Sequence, residues 1–211
     1  MLVVLGLALV AVTYAAPPIV PVDFAPCVDG VNNVIQMADV NDGPLTIHAQ
    51  GVVAYTYDDK GRPSCYYGRA AVSLPGQIKL AKGQVVVSAA NANIKSAEMK
   101  MTVRKNSIFV GYVCNDGKRQ KRQVPENVCH HSIYPDLPEH FLNMLSTPGT
   151  YDLETIEKEA HQTNIIKLPG ISGGLNMIVK GDWQVQMSIE LAGHKIAHVK
   201  LPSNMPWVYV N

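Results

Sequence analysis

Residues 182–191 constrain this chain most. In Asp182-Trp183-Gln184-Val185-Gln186-Met187-Ser188-Ile189-Glu190-Leu191 every second residue is apolar, the period of a strand with one wet and one buried face. Ala192-Gly193-His194 supplies a turn, and Lys195-Ile196-Ala197-His198-Val199-Lys200-Leu201 returns in the same style, so the pair reads as a long hairpin. A slip of one residue in its pairing would turn every apolar side chain to water. The chain must therefore cover one continuous apolar sheet face.

The amino end points to a compartment. Residues 2–12 are an unbroken run of apolar or small residues, followed by Thr13-Tyr14-Ala15-Ala16-Pro17-Pro18. This pattern predicts a secretory leader over residues 1–15, cut after Ala15; the run is shorter than the ~20 helical residues that span a bilayer. Met1 is followed by no Lys or Arg, and a short membrane anchor is the alternative. Pro17, Pro18, Pro21 and Pro26 make residues 16–26 an extended leader. The mature chain is then expected outside the cell or in the lysosomal lumen. The ~195 residues that remain suffice for one domain, residues 27–211, burying close to 70% of its unfolded surface. A net charge of +1 provides no global field for nucleic acid.

In an oxidising compartment four cysteines read as two disulfides with three connectivities. Cys114 with Cys129 is the natural local pair, worth about 3 kcal/mol. Cys27 with Cys65 remains, unless Cys65 is left free.

With 16 Gly, 14 Pro and few helical patterns, the composition favours an all-β architecture. Strand-like segments fall at residues 45–57 (broken by Gly51), 65–74, 84–90, 98–104 and 108–113, the last two forming a hairpin across Lys105-Asn106-Ser107. Asp58-Asp59-Lys60-Gly61-Arg62-Pro63 and Pro75-Gly76 are turns. About eight strands suit a two-sheet β-sandwich or β-cup. Residues 137–145 space apolar side chains by three and four before Pro148-Gly149, predicting one short helix with Phe141, Leu142 and Leu145 on one face. Trp207 and Tyr209 suit interfacial aromatics or, the preferred reading, a final edge strand.

The carboxyl half resembles the MD-2-related lipid-recognition family, within it the ganglioside GM2 activator branch. The similar features are Cys114 at a strand end with Cys129 after a loop, Gly149-Thr150-Tyr151-Asp152-Leu153, Ile166-Lys167-Leu168-Pro169, and the closing hairpin. They span roughly residues 97–201; Cys27 and residues 45–57 match the family's opening. Members carry a cysteine in the last strand that pairs with the first, and His198 stands there in this chain, which also turns Cys27 towards Cys65. Residues 56–95 are extra strand material. The resemblance implies a β-cup whose splayed sheets accept acyl chains, a lipid or glycolipid ligand, transient contact with a membrane surface, and a lipid-processing hydrolase as partner. A tail of about 16 methylenes gains on the order of 13 kcal/mol on leaving water, and an apolar, preformed cavity recovers it.

On that reading, lipid-binding candidates are Phe141, Met144 and Leu145 as a helical gate, Ile165, Leu168, Ile171, Leu175 and Met177 as a glycine-interspersed rim, and Trp183 as a wall. Each also suits plain core packing. Lys118, Arg119, Lys121 and Arg122 form the sharpest charge cluster: anionic headgroups attract such a loop by about 1 kcal/mol per residue, while Arg119-Gln120-Lys121-Arg122 also resembles a processing site for proteases that cut at paired basic residues. A solvated loop tip is the bland alternative. His130-His131, His140 and His161 match no zinc spacing, so no metal and no cofactor are expected. No nucleophile elbow, phosphate loop or paired-carboxylate motif occurs, and the expectation is a non-enzyme. The competing expectation is a β-sandwich with a filled core that binds protein, distinguished by whether an empty apolar space exists.

Overall fold

The computed structural model describes residues 26–161, 163–170 and 179–211; the proposed secretory leader and Ile171, Leu175 and Met177 lie outside them. The fold is mostly β, a curled mixed sheet with few helices. One wing is built on β1 (Val34–Asp39), β2 (Ile47–Asp58) and β5 (Gly76–Val87). The edge of β5 is extended by β10 (Gly149–Asp152) and β11 (Ile165–Leu168). The second wing comprises β6 (Glu98–Lys105), β12 (Gly181–Leu191) and β13 (His194–Leu201), widened by β7 (Tyr112–Asn115), β8 (Lys118–Arg119) and β9 (His130–Ser132).

β1 joins the wings. Its residues Val34 to Met37 pair with β2, and Ala38 and Asp39 then pair with Lys200 and Val199 of β13. A smaller group, β3 (Cys65–Tyr66), β4 (Arg69–Val72) and β14 (Val208–Val210), continues from β12, with β14 and β4 parallel. The described residues thus hold fourteen strands in one connected network, not about eight. Where one short helix was expected, three α-helices lie wholly within the described residues: α1 (Glu126–Cys129), α2 (Glu139–Ser146) and α3 (Leu153–Ala160).

The hairpin at residues 182–201 forms with one register shift, Ile189 pairing with Ala197 and Glu190 with Lys195 so that Ile196 is the extra residue. It closes with a two-residue turn: Leu191 pairs with His194, and Ala192 and Gly193 both take positive φ, 51° and 80°. Two positive φ values in succession give the turn whose twist suits adjacent strands.

β2 departs from simple alternation for a local reason. Gln50 pairs with Gln84 and Val53 with Lys82, so Gly51 and Val52 together oppose Gly83. This is a β-bulge, with Gly51 at φ 59°. The bulge shifts the parity of the strand. Ile47 and Ala49 face inward before it; after it Val52 and Ala54 take over, standing beside Met37 and Ile35 of β1. The inner face therefore stays apolar although the sequence changes phase.

Two apolar clusters anchor the fold. One joins Ile47, Val87, Ile133, Leu142, Leu145 and Ile196 beneath α2. The other joins Ile35, Ala54, Ala70 and Val208 at the far end of the sheet. Cys27 bonds Cys65, tying the segment before β1 to β3, and Cys114 bonds Cys129, tying the end of β7 to α1. Both pairings match the sequence reading, and Cys65 is not free.

Candidate functional site

Between the wings, on the inner side of the first cluster, lies a cavity of about 260 Å3. Its walls come from β1 (Met37), β2 (Ile47, His48, Ala49), β5 (Val85), β6 (Met99), β12 (Met187, Ile189) and β13 (Ala197, Val199), and α2 with its approach closes it through Leu137, Phe141 and Leu145. The sheet contribution follows from register. Ile189 stands between Met99 and Ala197, and Met187 between Met101 and Val199, and direct partners in antiparallel strands share a face. The next rung, Val103, Val185 and Leu201, continues the same apolar face beyond the cavity. Methionines at three wall positions suit an adaptable surface, because their unbranched side chains fill irregular gaps.

His48, between the inward-facing Ile47 and Ala49, is the single polar residue along the wall. Its Nδ1 lies 2.7 Å from Asp39 Oδ2, and the other oxygen of Asp39 accepts the Ala49 N–H at 2.8 Å. The imidazole is thus anchored to the end of β1, where that strand changes partner.

α2 folds where its spacing predicts. Phe141 and Leu145, four apart, face the sheet, and Leu142 is fully buried between them. Met144 is also buried but lies on the other flank, lining a shallow depression with His140, Tyr151 and Thr155 next to α3. Of the proposed gate, the structure brings Phe141 and Leu145 to the cavity and leaves Met144 outside it. Trp183 is partly buried two residues beyond Met187's neighbour Val185; its indole N–H donates to the Val179 carbonyl and the Lys105 ammonium stands 5.6 Å from its ring centre. It does not line the cavity. Ile165 and Leu168 sit on β11 at the edge of β5, Ile165 40% exposed. The sequence reading missed Met37, Met99, Met187 and Val199, whose alternation was visible but whose common face required knowledge of strand pairing.

A larger depression of about 680 Å3 runs over residues 90–96 and touches Asn143 and Ser146. It is an open surface groove with amide and hydroxyl groups, and the more sheltered apolar cavity is the better candidate for a ligand. Among the described residues no group of three His, Cys, Asp or Glu side chains converges as a metal site.

Two surface features adjoin the second wing. At the tip joining β6 to β7, Ile108 is 99% and Phe109 92% exposed, a turn within the stretch that the sequence reading assigned to a strand. Asn106-Ser107 before and Gly111 after were the turn residues that marked it. Arg104 stands beside it, its guanidinium 5.2 Å from the Tyr112 ring and 5.5 Å from that of Trp207. Lys118, Arg119 and Arg122 of the basic tract are exposed and Lys121 is half-buried: Lys118 and Arg119 form β8, the Gln120 N–H donates to the Val113 carbonyl, and Lys121 and Arg122 enter the turn that follows.

His198, standing where the resemblance places a cysteine, is buried instead. Its Nδ1 lies 2.6 Å from Asp42 Oδ2, which Lys195 also reaches at 3.0 Å. Burial alone would raise the Asp42 pKa, but hydrogen bonds from Lys195 and His198 and their charge outweigh it and hold the carboxyl below its ordinary value.

Fold and site together define a mostly β protein whose curled sheet, with α2, lines a small, partly open apolar cavity. No protein-family model matches the chain, and no curated protein is significantly similar to it.

Proposed function

We propose that this protein is a lipid-binding protein of an extracellular or lumenal compartment, a β-cup that takes up an acyl chain between its two wings. The observation that carries the reading is the cavity: about 260 Å3, with His48 as the one polar group among thirteen lining residues. Its size lies just below the range of ~300–1,000 Å3 for small-molecule sites, which favours one acyl chain over a two-chain glycolipid. Burying about eight methylenes contributes on the order of 6 kcal/mol before ordering costs. The apolar rung of Val103, Val185 and Leu201 offers a continuation for a longer chain.

Ile108 and Phe109 are the membrane contact on this reading, with the exposed Lys118, Arg119 and Arg122 and the half-buried Lys121 supplying attraction to anionic headgroups. The two disulfides are consistent with an oxidising compartment, and no helix of the described residues is long and apolar enough to cross a membrane. Presentation of the lipid to a hydrolase rests on the sequence resemblance, as does membership of the lipid-recognition family. The absence of catalytic work is part of the same proposal.

Mass spectrometry of organic extracts from natively purified protein is the direct test. A stoichiometric single-chain lipid, displaced by a fluorescent fatty acyl probe, is the expected result. No extracted lipid together with no probe uptake would overturn the reading in favour of a protein-binding module.

A further inference from the structure

We infer that the Arg122–Gln123 peptide bond is a site of limited proteolysis, cut by a serine endoprotease specific for paired basic residues to leave a two-chain protein. Cations stand at the first, second and fourth positions before this bond, as Arg122, Lys121 and Arg119. A protease with an acidic cleft reads that spacing through charge-assisted hydrogen bonds.

The fold selects this bond among the basic pairs of the chain. Arg104-Lys105 lies within β6, paired on one side with β12 and on the other with β7, and Lys105 is 9% exposed. Lys118-Arg119 forms β8, whose backbone is paired to Asn115 and Cys114. Residues 121–125 belong to no strand or helix and form a turn with the Val124 N–H donating to the Lys121 carbonyl at 3.1 Å. Arg122 and Gln123 are exposed, and no salt bridge among the described residues engages Arg119, Lys121 or Arg122. Extending residues 119–124 into a protease cleft opens this turn and frees the two-residue β8 and the Gln120 N–H from β7, a small loss beside the pairings of β6. Cutting after Arg119 would instead require opening the ladder at the bond itself.

Hydrolysis adds one water across the bond, giving a carboxylate on Arg122 and an amine on Gln123. The halves stay together for two reasons. The loop is closed by the Cys114–Cys129 disulfide, one cysteine on each side of the cut. Across the cut, β6 pairs with β12 over eight register positions and with β9 over three. The product keeps its fold, while the basic tract becomes a chain end. This inference does not depend on lipid binding.

The test is digestion of the purified, disulfide-intact chain with a paired-base-specific endoprotease, followed by electrophoresis with and without reductant and by amino-terminal sequencing. The expected result is one band without reductant and two with it, the carboxyl fragment beginning at Gln123. Arg122→Ala remains one chain, and Arg119→Ala is cut about tenfold more slowly, as expected for one lost charged contact. A native chain that resists while its heat-denatured form is cut would overturn the proposal. So would a first cut elsewhere, or separation of the fragments without reductant.

Discussion

Ala192 shows how a single residue departs from what its local geometry prefers. It sits at φ 51° in the β12–β13 turn, a region where a residue with a Cβ is strained by roughly 1 kcal/mol and where asparagine is favoured. Ala192→Asn should therefore raise stability by about 0.5–1 kcal/mol, read as an increased urea midpoint at unchanged slope. Asp42 makes a second prediction, through pH. Its pKa is lowered in the folded protein from an ordinary 3.8, so the folded state binds fewer protons than the unfolded one. The stabilisation is present above that value and is lost as pH falls through the folded pKa. Asp42→Asn should destabilise the protein by about 1 kcal/mol near neutrality, a modest figure because the group is partly solvated. The gap between variant and parent should then close as pH falls below 3.8, measured by denaturant midpoints across the acid range. The partnership itself was not legible in the sequence: His198 stood out only as a missing cysteine, and the 156 residues that separate it from Asp42 are bridged by folding alone.

At the scale of elements, long strands and α2 were legible because period-two and three–four spacing survive in the sequence, and Pro148-Gly149 marks the helix stop. The strand count was not. β3 and β8 are two residues long, too short to show any period, and residues 108–110 are apolar yet form a turn. Gly51 was visible as a break, but its meaning depends on Gly83 across the ladder. A Cβ added at Gly83 would lie 2.8 Å from Val52 Cγ2 and 2.9 Å from Val52 Cα, at φ 137°. Gly83→Ala should thus cost about 2–4 kcal/mol through clash and backbone strain, and thermal unfolding measures it. The β6–β7 tip carries the opposite expectation. Replacing Ile108 and Phe109 together by serine should leave stability within about 0.5 kcal/mol, because both side chains are exposed. Binding to anionic phospholipid vesicles should fall by roughly 100-fold, since about 3 kcal/mol of apolar insertion is removed. Co-sedimentation with vesicles checks it; unchanged binding would exclude this tip as the membrane contact.

For the whole molecule, the decisive arrangement is the change of partner in β1, which curls the sheet so that residues from both wings meet around one space. Phe141 and Leu145 were legible as wall residues because they belong to a local helix pattern. The sheet wall was not, because Met37, Ala49, Met187 and Val199 converge only through pairings among β1, β2, β12 and β13. Ala49 allows a test that separates a ligand cavity from a packing defect. It lines the space and is partly buried without belonging to either core cluster, so a larger side chain there would grow into the void. Ala49→Leu introduces three carbons where an acyl chain would lie. At about 0.8 kcal/mol per displaced methylene this removes roughly 2.4 kcal/mol of binding, about a 50-fold weaker affinity for a fluorescent acyl probe. Stability should hold or rise slightly, because filling a void restores contacts that its lining lacks. Probe titration and thermal unfolding of the same preparation read the two effects separately. Weakened binding with an unchanged or higher melting temperature places the ligand between the wings, and an unchanged affinity places it elsewhere.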